Sequence, residues 1–283
     1  MRGFRNLVSP NAVPTTIIQP SRGRLSLPLG ELWRFRELLY FLTWRDVKIR
    51  YKQAVLGFLW AFIQPFLQMV VFSIVFGRLA KIDSQGFPYP VFLYAGLLSW
   101  QFFSDAVNRS GQSVVAGANI ITKVYFPRLI MPIASVGAAL VDFAISFGIL
   151  FGLMLFYHVP PGIGFLFVIP LVLVTILTAL GIGFFVSALN VAYRDFRYIL
   201  PFLVQVWMYL TPVVYPVTLV PARFRWLILL NPMAGIVNAY RSAILGMPFE
   251  WGNLAISLGV AAVMFVWGLA FFRRVERYFA DIV

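Results

Sequence analysis

The 283 residues are 61% hydrophobic and only 12% charged, which excludes a soluble globular domain and leaves a polytopic membrane protein. The formal charge of +13 does not argue for nucleic acid, because Lys and Arg cluster beside long apolar runs, as orientation signals do. With no cysteine in the chain, disulfides, thiol catalysis and cysteine lipidation are excluded.

Residues 1–28 place Pro10, Pro14, Pro20 and Pro28 among Arg and Ser without an apolar core. That is no signal peptide, and a disordered cytoplasmic tail is expected. From 29 to 56 the pattern is helical but not apolar enough to span. Arg34, Glu37, Arg45, Lys48 and Lys52 fall on one stripe interrupted by Phe41, and Trp33, Phe35, Leu38, Leu39, Tyr40 and Leu42 cover much of the rest. This suits an amphipathic helix lying in the membrane interface, its basic side toward anionic headgroups.

Six spans follow, over about 57–79, 90–113, 130–157, 165–189, 199–219 and 252–272. Each is near the ~20 residues that cross a hydrocarbon core of about 30 Å. The expected fold class is an all-α membrane protein with six transmembrane helices. With the N-terminus inside, the inner flanking segments hold eighteen Lys and Arg and the outer ones five, so both termini are expected in the cytoplasm. Residues 221–246 do not fit a span, because Asn231-Pro232 divides them into pieces too short to cross. They read as two re-entrant half-helices on the outer side, before the last span. Backbone at that depth is tolerated only against protein or water, which makes Asn231, Pro232 and Tyr240 candidates for an outer gate.

Three spans carry polar stripes at helical spacing. Trp60, Gln64 and Gln68 recur at i, i+4, i+8 on the first; Tyr94, Gln101, Asp105 and Asn108 share a face of the second; Gln205, Tyr209, Pro212 and Pro216 share one on the fifth. Lipid rejects unpaired amides. The stripes either line a path, for a sugar-like solute whose hydroxyls bond to amides and whose CH faces stack on rings, or knit the bundle by interhelical hydrogen bonds. Asp105 and Arg109, acid first at i, i+4, read as a structural pair. Asp142 is the only acid deep within a span; no intramembrane base accompanies it in the sequence, so it reads as a hydrogen-bonded packing residue near Ser135 and Ser146.

Between the second and third spans, GANIITKVYFPRLIMP (117–132) mixes Lys123, Tyr125 and Arg128 with apolar residues. A short amphipathic cytoplasmic helix there would dock on a partner or rest on headgroups. No G-x-x-x-x-G-K-[ST] run occurs, so ATP-driven movement would need an ATPase on a separate chain. His158, the lone histidine, has no cysteine neighbours and makes no metal site.

The chain resembles the transmembrane permeases of bacterial ABC exporters of lipid-linked polysaccharides, the ABC-2 type family of O-antigen, capsule and teichoic acid export. The resemblance runs from about Leu32 to Ala280 and rests on IRYKQAVLGFLWAFIQP (49–65), YAGLLSWQFFSDAVNRS (94–110), LNVAYRDF (189–196), TPVVYP (211–216) and LNPMAGIVNAYRSAILG (230–246). It implies a homodimer whose six-span domain covers 57–283 after the interface helix at 29–56, in a bacterial inner membrane. It also implies a substrate path along spans one, two and five, on which the candidates are Trp60, Gln64, Gln68, Tyr94, Gln101, Asn108, Gln205 and Tyr209. A nucleotide-binding subunit carrying ATP and Mg would dock near Ile121, Lys123, Tyr125, Phe126 and Arg128. The substrate implied is a polyprenyl-diphosphate glycan. Arg45, Lys48, Arg50 and Lys52 either attract its diphosphate at the inner surface or serve only as positive-inside signals. An ion-coupled transporter or flippase acting alone predicts internal symmetry and more buried ionisable groups; the sequence displays neither. A membrane-embedded glycan-processing enzyme would need an acid or base at a span end. Its only candidates, Asp105 and Asp195, sit beside Arg109 and Arg194.

Overall fold

The computed structural model describes residues 29–52, 59–193 and 195–279. The expected tail at 1–28, the start of the first span at 57–58, and Arg194 lie outside the described residues. Among the described residues the chain forms eleven α-helices and no strand.

Helix α1 (Leu29–Arg34) is separated at Phe35 from α2 (Arg36–Lys52). Leu42 and Val47 of α2 are buried, while Trp33, Tyr40, Phe41 and Trp44 face outward. The buried side of α2 lies along the first turns of α6 (Ile130–Phe156), where the Thr43 hydroxyl donates to the Ala134 carbonyl at 3.3 Å. A helix of 27 residues is about 40 Å long, roughly 10 Å more than the hydrocarbon core. Its first turns give α2 a protein surface to cover.

Among the described residues, four helical segments are long and apolar enough to cross a membrane. They are α3 (Leu59–Phe72) continued by a π-helical turn over Ser73–Leu79, α6, α7 (Val168–Ala192) with a 3₁₀ lead-in at Ile163–Phe167, and α11 (Trp251–Val275). The axis of the bundle is α4 (Tyr89–Ala116), whose 28 residues are buried on nearly every side against α6, α7 and α10 (Pro232–Leu245). A helix so enclosed has little need to be apolar all round, and α4 buries Ser99, Ser110 and Ser113 among its apolar residues.

Helix α8 (Phe196–Leu210) is apolar but only 15 residues long. The expected fifth span at 199–219 therefore stops at Leu210, and Pro212 and Pro216 drop off its polar stripe. Thr211 is extended, at φ −97° and ψ 139°, the conformation forced on a residue that precedes proline. The one-turn α5 (Ala118–Ile121) takes the place of the expected amphipathic cytoplasmic helix. Between α8 and α11, α9 (Arg225–Leu229) is parted from α10 at Asn231-Pro232. The Asn231 side chain accepts from the Met233 amide at 3.1 Å, capping α10, and Gly246 closes it in the left-handed region at φ 73°.

Helices α7 and α11 approach to backbone contact. A Cβ on Gly181 would stand 2.7 Å from the Phe265 Cα, and one on Gly268 would collide with the Gly181 carbonyl oxygen. Small residues permit this where dispersion, not hydrophobic exclusion, holds helices together. Gly268→Leu is expected to cost on the order of 1–3 kcal/mol through overpacking, read as a lower melting temperature in detergent. Gly259→Leu, on the same helix with open space around it, is expected to change nothing.

Candidate functional site

A cavity of about 460 Å³ opens among α3, α4, α6 and α8. The three polar stripes converge on it: Trp60, Gln64 and Gln68 from α3, Gln101 from α4, and Gln205 and Tyr209 from α8 all line its wall. These helices are brought together by the same spacing that marked them, because residues four apart lie above one another on one helical face.

The amides fall into two groups. Gln101 Nε2 donates to Gln68 Oε1 at 2.6 Å, and Gln68 Nε2 lies 4.0 Å from the Met208 sulfur, so this pair ties α3 to α4. Gln64 and Gln205 make no side-chain hydrogen bond to another described residue and keep their donors and acceptors toward the cavity.

Two expected lining residues stand elsewhere. Tyr94 is fully buried, and its hydroxyl donates to the Ser146 carbonyl at 3.1 Å, so it joins α4 to α6. Asn108 lies one turn inward, where its Nδ2 donates to the Ser104 hydroxyl at 3.4 Å and its Oδ1 is buried without a partner among the described residues. The helical period put both on the right face of α4, but that face is covered at its two ends.

At one end of the cavity lies an ion cluster that sequence spacing did not disclose. The Asp142 carboxylate, with its side chain 10% exposed, accepts from Arg50 Nη1 at 2.7 Å and from Arg109 Nη2, both on Oδ2. The Tyr51 hydroxyl donates to Oδ1. Burial first, and then this bond to the carboxylate, push the Tyr51 phenol well above its ordinary pKa. Asp142 thus has two cationic partners, contrary to its reading as an unaccompanied packing residue. The expected Asp105–Arg109 pair is stretched to 3.9 Å, because the guanidinium is turned to Asp142.

The four basic residues of α2 divide accordingly. Arg45, Lys48 and Lys52 share one side, whereas Arg50 is about 140° round the helix from Arg45 at 100° per residue. Arg45 pairs with Asp46 at 2.8 Å, the Lys48 ammonium sits 5.7 Å over the Trp44 ring, and Lys52 is exposed. Of the residues expected to meet a nucleotide-binding subunit, Lys123 and Tyr125 are exposed, while Ile121 and Phe126 are buried. Arg128 turns back to the chain's own end, where its guanidinium donates to the Glu276 carbonyl and lies 5.9 Å from the Phe279 ring centroid.

Beyond the end of α8, Asn231 fastens the start of α10 to α8: its Oδ1 accepts from the Trp207 indole at 3.1 Å and its Nδ2 donates to the Thr211 hydroxyl at 2.8 Å. Pro232, next to it, is buried at the first turn of α10. Tyr240 is buried in the bundle, 3.4 Å from the Thr175 hydroxyl, and does not stand at an outer opening. Arg241 beside it is 1% exposed. Its guanidinium donates to the carbonyls of Pro212 at 2.8 Å, Tyr215 at 3.4 Å, Phe92 at 3.4 Å and Val213.

Apolar helices long enough to cross a bilayer, gathered round an amide-lined cavity, define a multi-pass membrane permease. The chain belongs to the ABC-2 type transporter family, whose family model matches residues 37–245. It is similar to the O-antigen export system permease protein RfbA of Klebsiella pneumoniae, at 27% identity over 261 residues, spanning 92% of this chain and 99% of that protein. The RfbA protein of Myxococcus xanthus is 29% identical over 256 residues, covering 89% of this chain and 98% of its own length. The polysialic acid transport protein KpsM of Escherichia coli is 25% identical over 242 residues, at 82% and 91% coverage. An ABC permease works with a nucleotide-binding subunit, and no P-loop occurs in this sequence.

Proposed function

We propose that the chain is the permease of an ATP-driven exporter that moves a lipid-linked polysaccharide, carried on a polyprenyl diphosphate, from the cytoplasmic side of a bacterial inner membrane. The convergence of three polar stripes on one cavity carries this reading: amides and rings with few charges suit hydroxyls and sugar CH faces. In this reading α4 and α8 complete six crossings, α9 and α10 are re-entrant half-helices, residues 1–28 are a cytoplasmic tail and α2 is the interface helix. Two copies share the path. ATP and Mg bind the nucleotide-binding subunit, which docks beneath the exposed Lys123 and Tyr125, and this chain moves substrate without bond chemistry. The relatives named for O-antigen export and polysialic acid transport support the substrate class.

Reconstitution tests it. Vesicles holding the permease and its ATPase are expected to translocate lipid-linked glycan only with ATP. Translocation by the permease alone under a proton gradient would overturn the reading in favour of an ion-coupled flippase.

A further inference from the structure

A second cavity, of about 600 Å³, lies between α2, α4 and α6 on the cytoplasmic side, with Arg45, Arg109, Gln112 and Ser135 in its wall. Arg50 lines both this cavity and the amide-lined one. The cluster at Asp142 stands where the two linings meet, with Asp142 in the wall of the first cavity, Arg109 in the wall of the second and Arg50 in both. Its carboxylate binds α2 through Arg50 and Tyr51, and α4 through Arg109, so one side chain of α6 ties three helices together between the cavities.

The charges at this cluster are unevenly placed. Two guanidiniums converge on a single oxygen of Asp142 at short range, while the second carboxylate, Asp105, meets Arg109 only at 3.9 Å. Arginines set in this way suit a phosphate, which offers more acceptor oxygens and more charge than a carboxylate. Without some anion, two guanidiniums in this half-buried site would lose solvation without recompense. We propose that Asp142 is an internal counter-ion that holds the place of a substrate phosphate. An incoming lipid-linked diphosphate takes Arg50 and Arg109 from it, which unpins the end of α2 from α6 and joins the two cavities. The Tyr51 hydroxyl leaves the carboxylate together with Arg50, since both stand on α2, and Asp142 is left to the water of the joined cavities. This rests on the export reading and adds to it the device that admits substrate.

The permease with its ATPase in nanodiscs is titrated with farnesyl diphosphate, with inorganic pyrophosphate and farnesol as controls. Asp142→Asn, which keeps size and a Tyr51 partner, is expected to bind farnesyl diphosphate about tenfold more tightly, and Arg50→Gln and Arg109→Gln at least tenfold more weakly. Unchanged or weaker binding by an assembled Asp142→Asn complex overturns the proposal, as does pyrophosphate binding equal to that of farnesyl diphosphate. A second measurement needs no change at Asp142. Spin labels at Ile49→Cys and Val141→Cys, in a chain without other cysteines, are expected to move apart on adding farnesyl diphosphate, and a fixed distance overturns the release of α2. An export-competent complex that fails these tests discards the counter-ion alone; one that moves no glycan discards the export reading.

Discussion

Arg241→Ala is expected to destabilise the protein by roughly 3 kcal/mol or more, read as a large fall in detergent melting temperature or as loss of monodisperse protein. Helix α8 ends at Leu210 because proline follows two residues on, and the carbonyls of Pro212, Val213 and Tyr215 are left without helical partners. Thr211 to Val214 is buried in the bundle. Each unsatisfied buried acceptor costs about 1–3 kcal/mol. One guanidinium serves all three, reaches Phe92 as well, and lies 4.0 Å over the Phe92 ring. Lysine offers three donors from one point and cannot fan across these carbonyls, so Arg241→Lys is expected to recover only part of the loss. Gly96 makes the room: a β-carbon there would stand 2.8 Å from Arg241 Nη2, and Gly96→Val is expected to act in the same direction. Melting of Arg241→Ala within about a degree of the parent would remove this residue from the closure of the outer end.

The features that rest on one helix at a time were legible in the sequence. Apolar length gave the long helices, the period of 3.6 gave the faces of Gln64, Gln68, Gln101 and Gln205, and Asn231-Pro232 gave the break between α9 and α10. What failed was pairing across the chain. Arg50 and Arg109 lie 92 and 33 residues from Asp142, whereas local spacing offers only Asp105 to Arg109. A usable signal was present: a carboxylate deep in a span requires cationic company, and these two arginines were at inner span ends. Arg241 is the lone charge of α10, and a cation buried in an acid-free helix must find its acceptors on backbone. The TPVVYP segment, unable to continue a helix, was the place to look. Tyr94 shows the limit of periodicity, since a polar face lines a cavity only where no neighbour covers it.

Gln64→Leu combined with Gln205→Leu is expected to lower glycan export by about tenfold to a hundredfold while leaving assembly and melting unchanged. Each lost hydrogen bond is worth about 0.5–1.5 kcal/mol, and 1.4 kcal/mol is a factor of ten. Both amides face the cavity and bond to no described neighbour, so the fold loses nothing by their removal. Gln68→Leu is the contrasting case. It strips Gln101 of its 2.6 Å partner, which breaks the tie between α3 and α4 and is expected to cost stability by about 0.5–1.5 kcal/mol. Lining and knitting are then two jobs within the same stripes, four residues apart on α3. Tyr209→Ala, which removes a half-exposed ring from the cavity wall, is expected to weaken export by the loss of a stacking surface. Export that is unaltered in the double variant, in protein that folds and binds its ATPase, would mean that the cavity is not the path.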